Sequence, residues 1–110
     1  MATRSTKLAT AKPAAAVATL VLTVPAGYTY LAKSIFAYNA GGVNDNVFVW
    51  AGDPVTLVTA YILDQFNLAA GGKAEWEGWL TLNPGDTLYV YSQAGISHFW
   101  ISGSKLPGIA

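Results

Sequence analysis

Beyond about Ala18 the chain alternates short runs rich in Val, Leu, Ile, Tyr, Phe and Trp with clusters of Gly, Pro, Asn and Asp, spaced roughly 8–12 residues apart. That spacing belongs to the strands of an all-β sandwich or barrel. Strands are predicted near 17–24, 29–39, 46–51, 56–63, 73–82, 87–93 and 96–102. Seven or eight strands suffice for two packed sheets, so the expected fold is all-β: a single antiparallel β-sandwich, jelly-roll-like, over residues 17–110. Residues 1–16 are small, polar or basic, with Leu8 the only large aliphatic side chain after Met1. They read as an extended basic N-terminal arm without a core-forming pattern.

Period-2 alternation sorts inside from outside. On 73–82, Ala74, Trp76, Gly78, Leu80 and Leu82 share the predicted core face, and Glu75, Glu77, Trp79 and Thr81 the other. Trp79 is then either buried beneath the 64–72 loop or exposed for contact with a partner. Trp50, Trp76 and Trp100 are expected as core anchors, each able to bury roughly 150–250 Å². On 17–24 and 29–39 the alternation blurs, with large apolar groups on both faces. A strand apolar on both faces is expected to be covered on both, here by a neighbouring subunit.

The turns carry specific chemistry. Val24-Pro25-Ala26-Gly27 suits a type I turn, and Asn83-Pro84-Gly85-Asp86 a type II turn with Gly at positive φ. Gln93-Ala94-Gly95 is short enough for a hairpin between the last two strands. Around Asp53-Pro54, Val58, Tyr61, Ile62 and Phe66 would share a helical face, but Val55, Thr56, Val58 and Thr59 favour a strand.

Composition changes this picture in two ways. Of the 110 residues, 53% are apolar and only 11% charged, which excludes a disordered chain and leaves little to keep a lone molecule soluble. The formal charge is zero, yet residues 1–33 hold Arg4, Lys7, Lys12 and Lys33 and no acid. Residues 34–110 hold Lys73 and Lys105 against Asp45, Asp53, Asp64, Glu75, Glu77 and Asp86. The arm can therefore fray, lie across its own acidic body, cross to another copy, or reach a larger acidic surface. Arg4, Lys7, Leu8, Lys12 and Trp79 are the candidate partner contacts. Three arm charges are too few for a strong nucleic-acid contact. The apolar run Pro13–Val24 loosely imitates a secretory signal, but Thr19 and Thr23 interrupt it, and it is too short for a membrane-spanning helix.

Catalytic chemistry is sparse. Without cysteine there are no disulfides, thiolate nucleophiles or Cys-based zinc sites. His98, the only histidine, has neighbours that offer neither a metal-ligand spacing nor an orienting acid, and reads as a structural strand residue. Glu75 and Glu77 sit about 7 Å apart on one strand face, from the ~3.3 Å rise per residue. A paired-carboxylate hydrolase is conceivable there, but a solvated face fits better. No catalytic, cofactor or metal residue is assigned, and the chain is expected not to be an enzyme.

The run Leu68-Ala69-Ala70-Gly71-Gly72-Lys73-Ala74-Glu75-Trp76-Glu77-Gly78-Trp79-Leu80-Thr81-Leu82-Asn83-Pro84-Gly85-Asp86-Thr87-Leu88-Tyr89-Val90-Tyr91-Ser92 resembles the small all-β virion proteins of tailed bacteriophages. Leu22-Thr23-Val24-Pro25-Ala26-Gly27 and Phe99-Trp100-Ile101-Ser102-Gly103 fit the same likeness, which covers roughly residues 17–105 and leaves the arm outside. The resemblance implies a non-enzymatic structural protein, made in the host cytoplasm and carried on the virion. A capsid decoration (cement) protein is the leading form, bound to the major capsid protein or another virion protein. A tail, portal or fibre accessory is the alternative within the family. Low charge, two-sided strands and the arm add an expected homo-oligomer, a trimer, with no nucleic-acid or membrane partner. A carbohydrate-binding module, with Trp79, Tyr89 or Tyr91 stacking on sugar rings, is the second reading.

Overall fold

The computed structural model describes residues 6–51 and 61–107, and within them the β-rich runs pair into eight strands. These are β1 (Thr6–Ala11), β2 (Thr19–Thr23), β3 (Tyr28–Asn39), β4 (Asp45–Ala51), β5 (Tyr61–Leu68), β6 (Lys73–Leu82), β7 (Thr87–Ser92) and β8 (Ser97–Pro107). One sheet has the order β1-β8-β3-β6 and the other β2-β7-β4-β5, with every neighbouring pair antiparallel. First pairs with eighth, second with seventh, third with sixth and fourth with fifth. This nesting is the strand order of a jelly roll, a long antiparallel ribbon rolled into two facing sheets.

The inner faces bury one continuous core. Leu8, Tyr30, Ala32, Ile35, Ala37, Leu82, Phe99 and Ile101 from the first sheet meet Leu22, Val47, Val49, Leu68, Leu88 and Val90 from the second. On β6 the predicted alternation holds throughout: Ala74, Trp76, Gly78, Leu80 and Leu82 face inward, and the intervening side chains are exposed.

Several expectations are refined or changed. The extended N-terminal segment takes one of the courses open to it and lies across its own body: β1 pairs with β8, and Leu8 lies in the core at 8% exposure, so residues 6–11 belong to the sheet. The chain lays this segment across its own body through backbone hydrogen bonds, which a sequence with one large apolar side chain does not advertise. The blurred alternation of 17–24 and 29–39 also has an internal cause. The register shifts between Leu20 and Leu22 on β2 and between Ala32 and Ser34 on β3. An extra residue reverses the parity, so Tyr30 and Ala32 before the bulge and Ile35 and Ala37 after it all point inward. The bulges explain the inward side chains, while Val17, Leu20, Tyr28 and Tyr38 remain exposed on the outer faces.

The fifth strand runs over 61–68, further along than 56–63, and ends with Leu68 in the core. The helical alternative is excluded over that stretch, while Val55, Thr56, Val58 and Thr59 lie outside the described residues. At the 24–28 corner the closing bond runs from Tyr28 N to Pro25 O (3.3 Å), placing Gly27 third rather than fourth, at φ 85°. This is a type II arrangement one residue later than expected. Finally, β7 and β8 belong to different sheets, so 93–96 is a crossover and not a hairpin turn.

The Asn83–Asp86 turn forms as predicted. Asp86 N donates to Asn83 O (2.9 Å), and Gly85 takes φ 88°, a conformation costly for residues bearing Cβ. Gly103 serves a different need. A Cβ there would stand 1.8 Å from the carbonyl oxygen of Leu31, so β8 can follow β3 through its bulge only without a side chain at this point.

Candidate functional site

Antiparallel register assembles the outer face of the first sheet into cross-strand rows. Thr10, Trp100, Phe36 and Glu75 form one; Lys7, Ser102, Ser34 and Glu77 another; His98, Tyr38 and Lys73 a third. Because Phe99 and Ile101 take the inward positions on β8, Trp100 is forced outward and remains 50% exposed. The expectation that Trp100 anchors the core is therefore overturned by strand parity. Trp50 is buried as expected, at 1% exposure, but outside the shared core and against Tyr89, and Trp76 packs partly buried against the core.

Trp79 stands on β6, an edge strand, 71% exposed, so burial beneath the 64–72 segment is ruled out. Lys33, the residue by which β3 bulges against β8, places its Nζ 4.8 Å from the centroid of the Trp79 ring. Lys7 does the same for Trp100 at 5.5 Å. Such cation–π contacts at exposed sites are worth about 0.5–1 kcal/mol each and hold the rings upright without covering them.

Between β1, β8 and β3 the surface sinks into an open depression of about 610 Å³, lined by Thr10, Lys12, Phe36, Tyr38, His98 and Trp100 among others. Its floor is aromatic, and its rim carries hydroxyls, an imidazole and an amine.

On the other side of the same face, the Ser34 hydroxyl donates to Glu75 at 2.6 Å and, with Glu77 alongside, lowers the Glu75 pKa. Glu77, hydrogen-bonded to Glu75 and repelled by its charge, is pushed up. Both carboxylates sit on the solvated face of an edge strand rather than in an enclosing cleft. Among the described residues, no group of three or more His, Asp or Glu is placed to hold a metal ion.

Of the candidate contacts, Lys7 and Lys12 lie beside Trp100 at the β1 edge, and Trp79 lies at the opposite, β6 edge. Leu8 points into the chain's own core and is not presented at the surface. Arg4 lies outside the described residues. Of the two tyrosines considered for sugar stacking, Tyr89 is buried against Trp50, with ring centroids 5.7 Å apart, and Tyr91 is half-buried with its edge to Phe48.

Sequence reasoning missed Phe36, Tyr38, His98 and Trp100 as one surface. The signal was present in the alternation of Ser97 to Ile101, but the size of the tryptophan ring outweighed it.

It also missed two buried polar hubs that fix the loops at one end of the sandwich. Asp45 accepts hydrogen bonds from the Ser92 hydroxyl, the Ser97 hydroxyl (2.6 Å) and the Ala94 amide (2.8 Å), spanning the crossover between sheets. Burial alone would raise the Asp45 pKa, but these donors together lower it. Asn39, fully buried, donates from Nδ2 to Val43 O (2.7 Å) and Leu68 O (3.1 Å), and its Oδ1 accepts from Gly41 N (2.9 Å). Both hubs are structural.

Comparison of the chain with known protein families, curated proteins and solved structures finds no match.

Proposed function

We propose that this chain is a non-enzymatic structural protein of a tailed-bacteriophage virion, a capsid decoration protein held on the head shell by protein–protein contacts. The observation that carries the reading is the outer face of the first sheet, where Trp79 and Trp100 stand exposed among lysines and glutamates. Exposed aromatic groups ringed by charge have the composition of interface anchors. The likeness of residues 17–105 to small virion proteins directs that interface toward the major capsid protein or another virion component. Net neutrality favours association, and we extend the reading to a homo-oligomer, a trimer. The bulges account for the inward apolar groups of 17–24 and 29–39, and the exposed Val17, Leu20 and Tyr38 that they leave on the surface are compatible with that extension.

The test is co-sedimentation of the purified chain with virions stripped of it, alongside its native mass by light scattering. We expect an oligomer, or a monomer that assembles on the particle, and at least a tenfold loss of binding in Trp79→Ala. A folded monomer that stays in the supernatant at all concentrations would remove the proposal.

A further inference from the structure

We infer that the depression between β1, β8 and β3 is a saccharide-binding site, with Trp100 as its stacking platform. This goes beyond the structural role proposed above and does not depend on it.

The depression has the size and make-up of a small-ligand site. Its roughly 610 Å³ falls within the ~300–1,000 Å³ typical of such pockets, and a few polar groups converge on an aromatic floor. A pyranose ring is two-sided in the same way. Its axial C–H bonds form an apolar face that lies against the negative face of an aromatic ring, while its hydroxyls radiate from the rim as donors and acceptors. Trp100 and Phe36 are direct register partners on adjacent strands and supply the floor. The Tyr38 hydroxyl, the His98 imidazole, the Thr10 hydroxyl and the Lys12 amine surround it, each able to meet a sugar hydroxyl.

Other ligand classes fit less well. No carboxylate is among the residues lining the depression, and Lys12 adds a positive charge, so it suits a bare cation poorly. A single nucleic-acid strand also stacks on aromatics, but it needs a continuous positive track, and Glu75 continues the Trp100–Phe36 row.

The platform is also held in place. Lys7 pairs in register with Ser102 and reaches the indole from that side, whereas the depression lies toward His98. Trp79, at the opposite edge, lacks such a basin of aromatic and hydroxyl groups. Its own concavity is lined by Lys33, Ser34, Glu77 and Gly78. It is the internal control.

The experiment is titration of the folded chain with oligosaccharides built from glucose, galactose, N-acetylglucosamine, and uronic or sialic acids, read by NMR of the four tryptophan indole N–H signals. We expect at least one series to shift the Trp100 signal saturably below about 10 mM, a weak affinity of a few kcal/mol, and to leave Trp79 unmoved. Trp100→Ala and Tyr38→Ala should each weaken binding at least tenfold, with Leu20→Ala, exposed on the other sheet, unchanged. Because the native chain is read directly, the test holds even if a variant fails to fold. Shifts centred on Trp79, shifts produced equally by an oligothymidine strand, or no shift with any sugar in the panel would each overturn the assignment.

Discussion

The two sheets each carry large aromatic groups on the side facing away from the shared core, and they treat them in opposite ways. On the second sheet, Trp50 is 1% exposed and stacks on Tyr89, while Phe48 sets its ring against the edge of Tyr91. On the first, Trp100 and Trp79 remain 50% and 71% exposed, each accompanied by a lysine instead of another ring. The second sheet spends its outward aromatics on stability, and the first keeps them available. An exposed indole costs the folded chain a favourable burial it could otherwise gain, and both such indoles lie on one face, which is the basis for proposing that face as the binding surface.

The sharpest way to break this contrast is to truncate the rings in turn. Trp50→Ala should lose about 3–5 kcal/mol of unfolding free energy in urea, the range for a buried tryptophan. If it behaved like an exposed residue, the distinction between the faces would collapse.

Next in size is the frame that holds both sheets in register. Asp45→Asn places an amide before two hydroxyls and a backbone N–H, and should cost about 1.5–3 kcal/mol, the range for a hydrogen bond to a buried charge. It should destabilise both faces together, so that probes on Trp50 and Trp100 report one shared transition. Because the Asp45 pKa is lowered in the folded state, its contribution is complete at neutral pH. That contribution disappears as pH falls through the depressed value. A pH series of denaturation midpoints should show wild-type stability falling below the usual carboxylate range, with a shallower fall in Asp45→Asn.

Smallest of all is Trp79→Ala, expected to change stability by no more than about 0.5 kcal/mol. Lys33→Ala should leave the fold intact and alter Trp79 fluorescence alone, since the ammonium group lies against that ring. A stability loss above about 2 kcal/mol in Trp79→Ala would show that the first sheet also uses its outward aromatics structurally.

How much of this was legible differs from strand to strand. β6 could be read to the residue because nothing interrupts its alternation, and the Asn83–Asp86 turn because proline and glycine each have one place in it. β3 could not, because a single inserted residue at its centre reverses inside and outside while leaving composition unchanged. β1 was invisible for the opposite reason: backbone pairing makes it a strand, and small side chains leave no period to detect. The exposed site is masked in the sequence by the size of the Trp100 ring, which favours burial. Phe99 and Ile101 on either side of Trp100 already specified otherwise. Asp45 and Asn39 gave no warning, since a buried polar hub is defined by partners from distant strands.

The pairing of β1 with β8 has a consequence in time. Thr6 is made well before its partner: its place in the sheet opposite Gly103 does not exist until nearly a hundred further residues have followed. β2 likewise waits for more than sixty residues before β7 is available. Nested long-range pairing of this kind closes large loops before contacts repay the lost entropy, which slows folding. Lys7 and Leu8 therefore wait, from their own synthesis to that of β8, with the basic charge and the large apolar side chain that will complete this edge of the sheet.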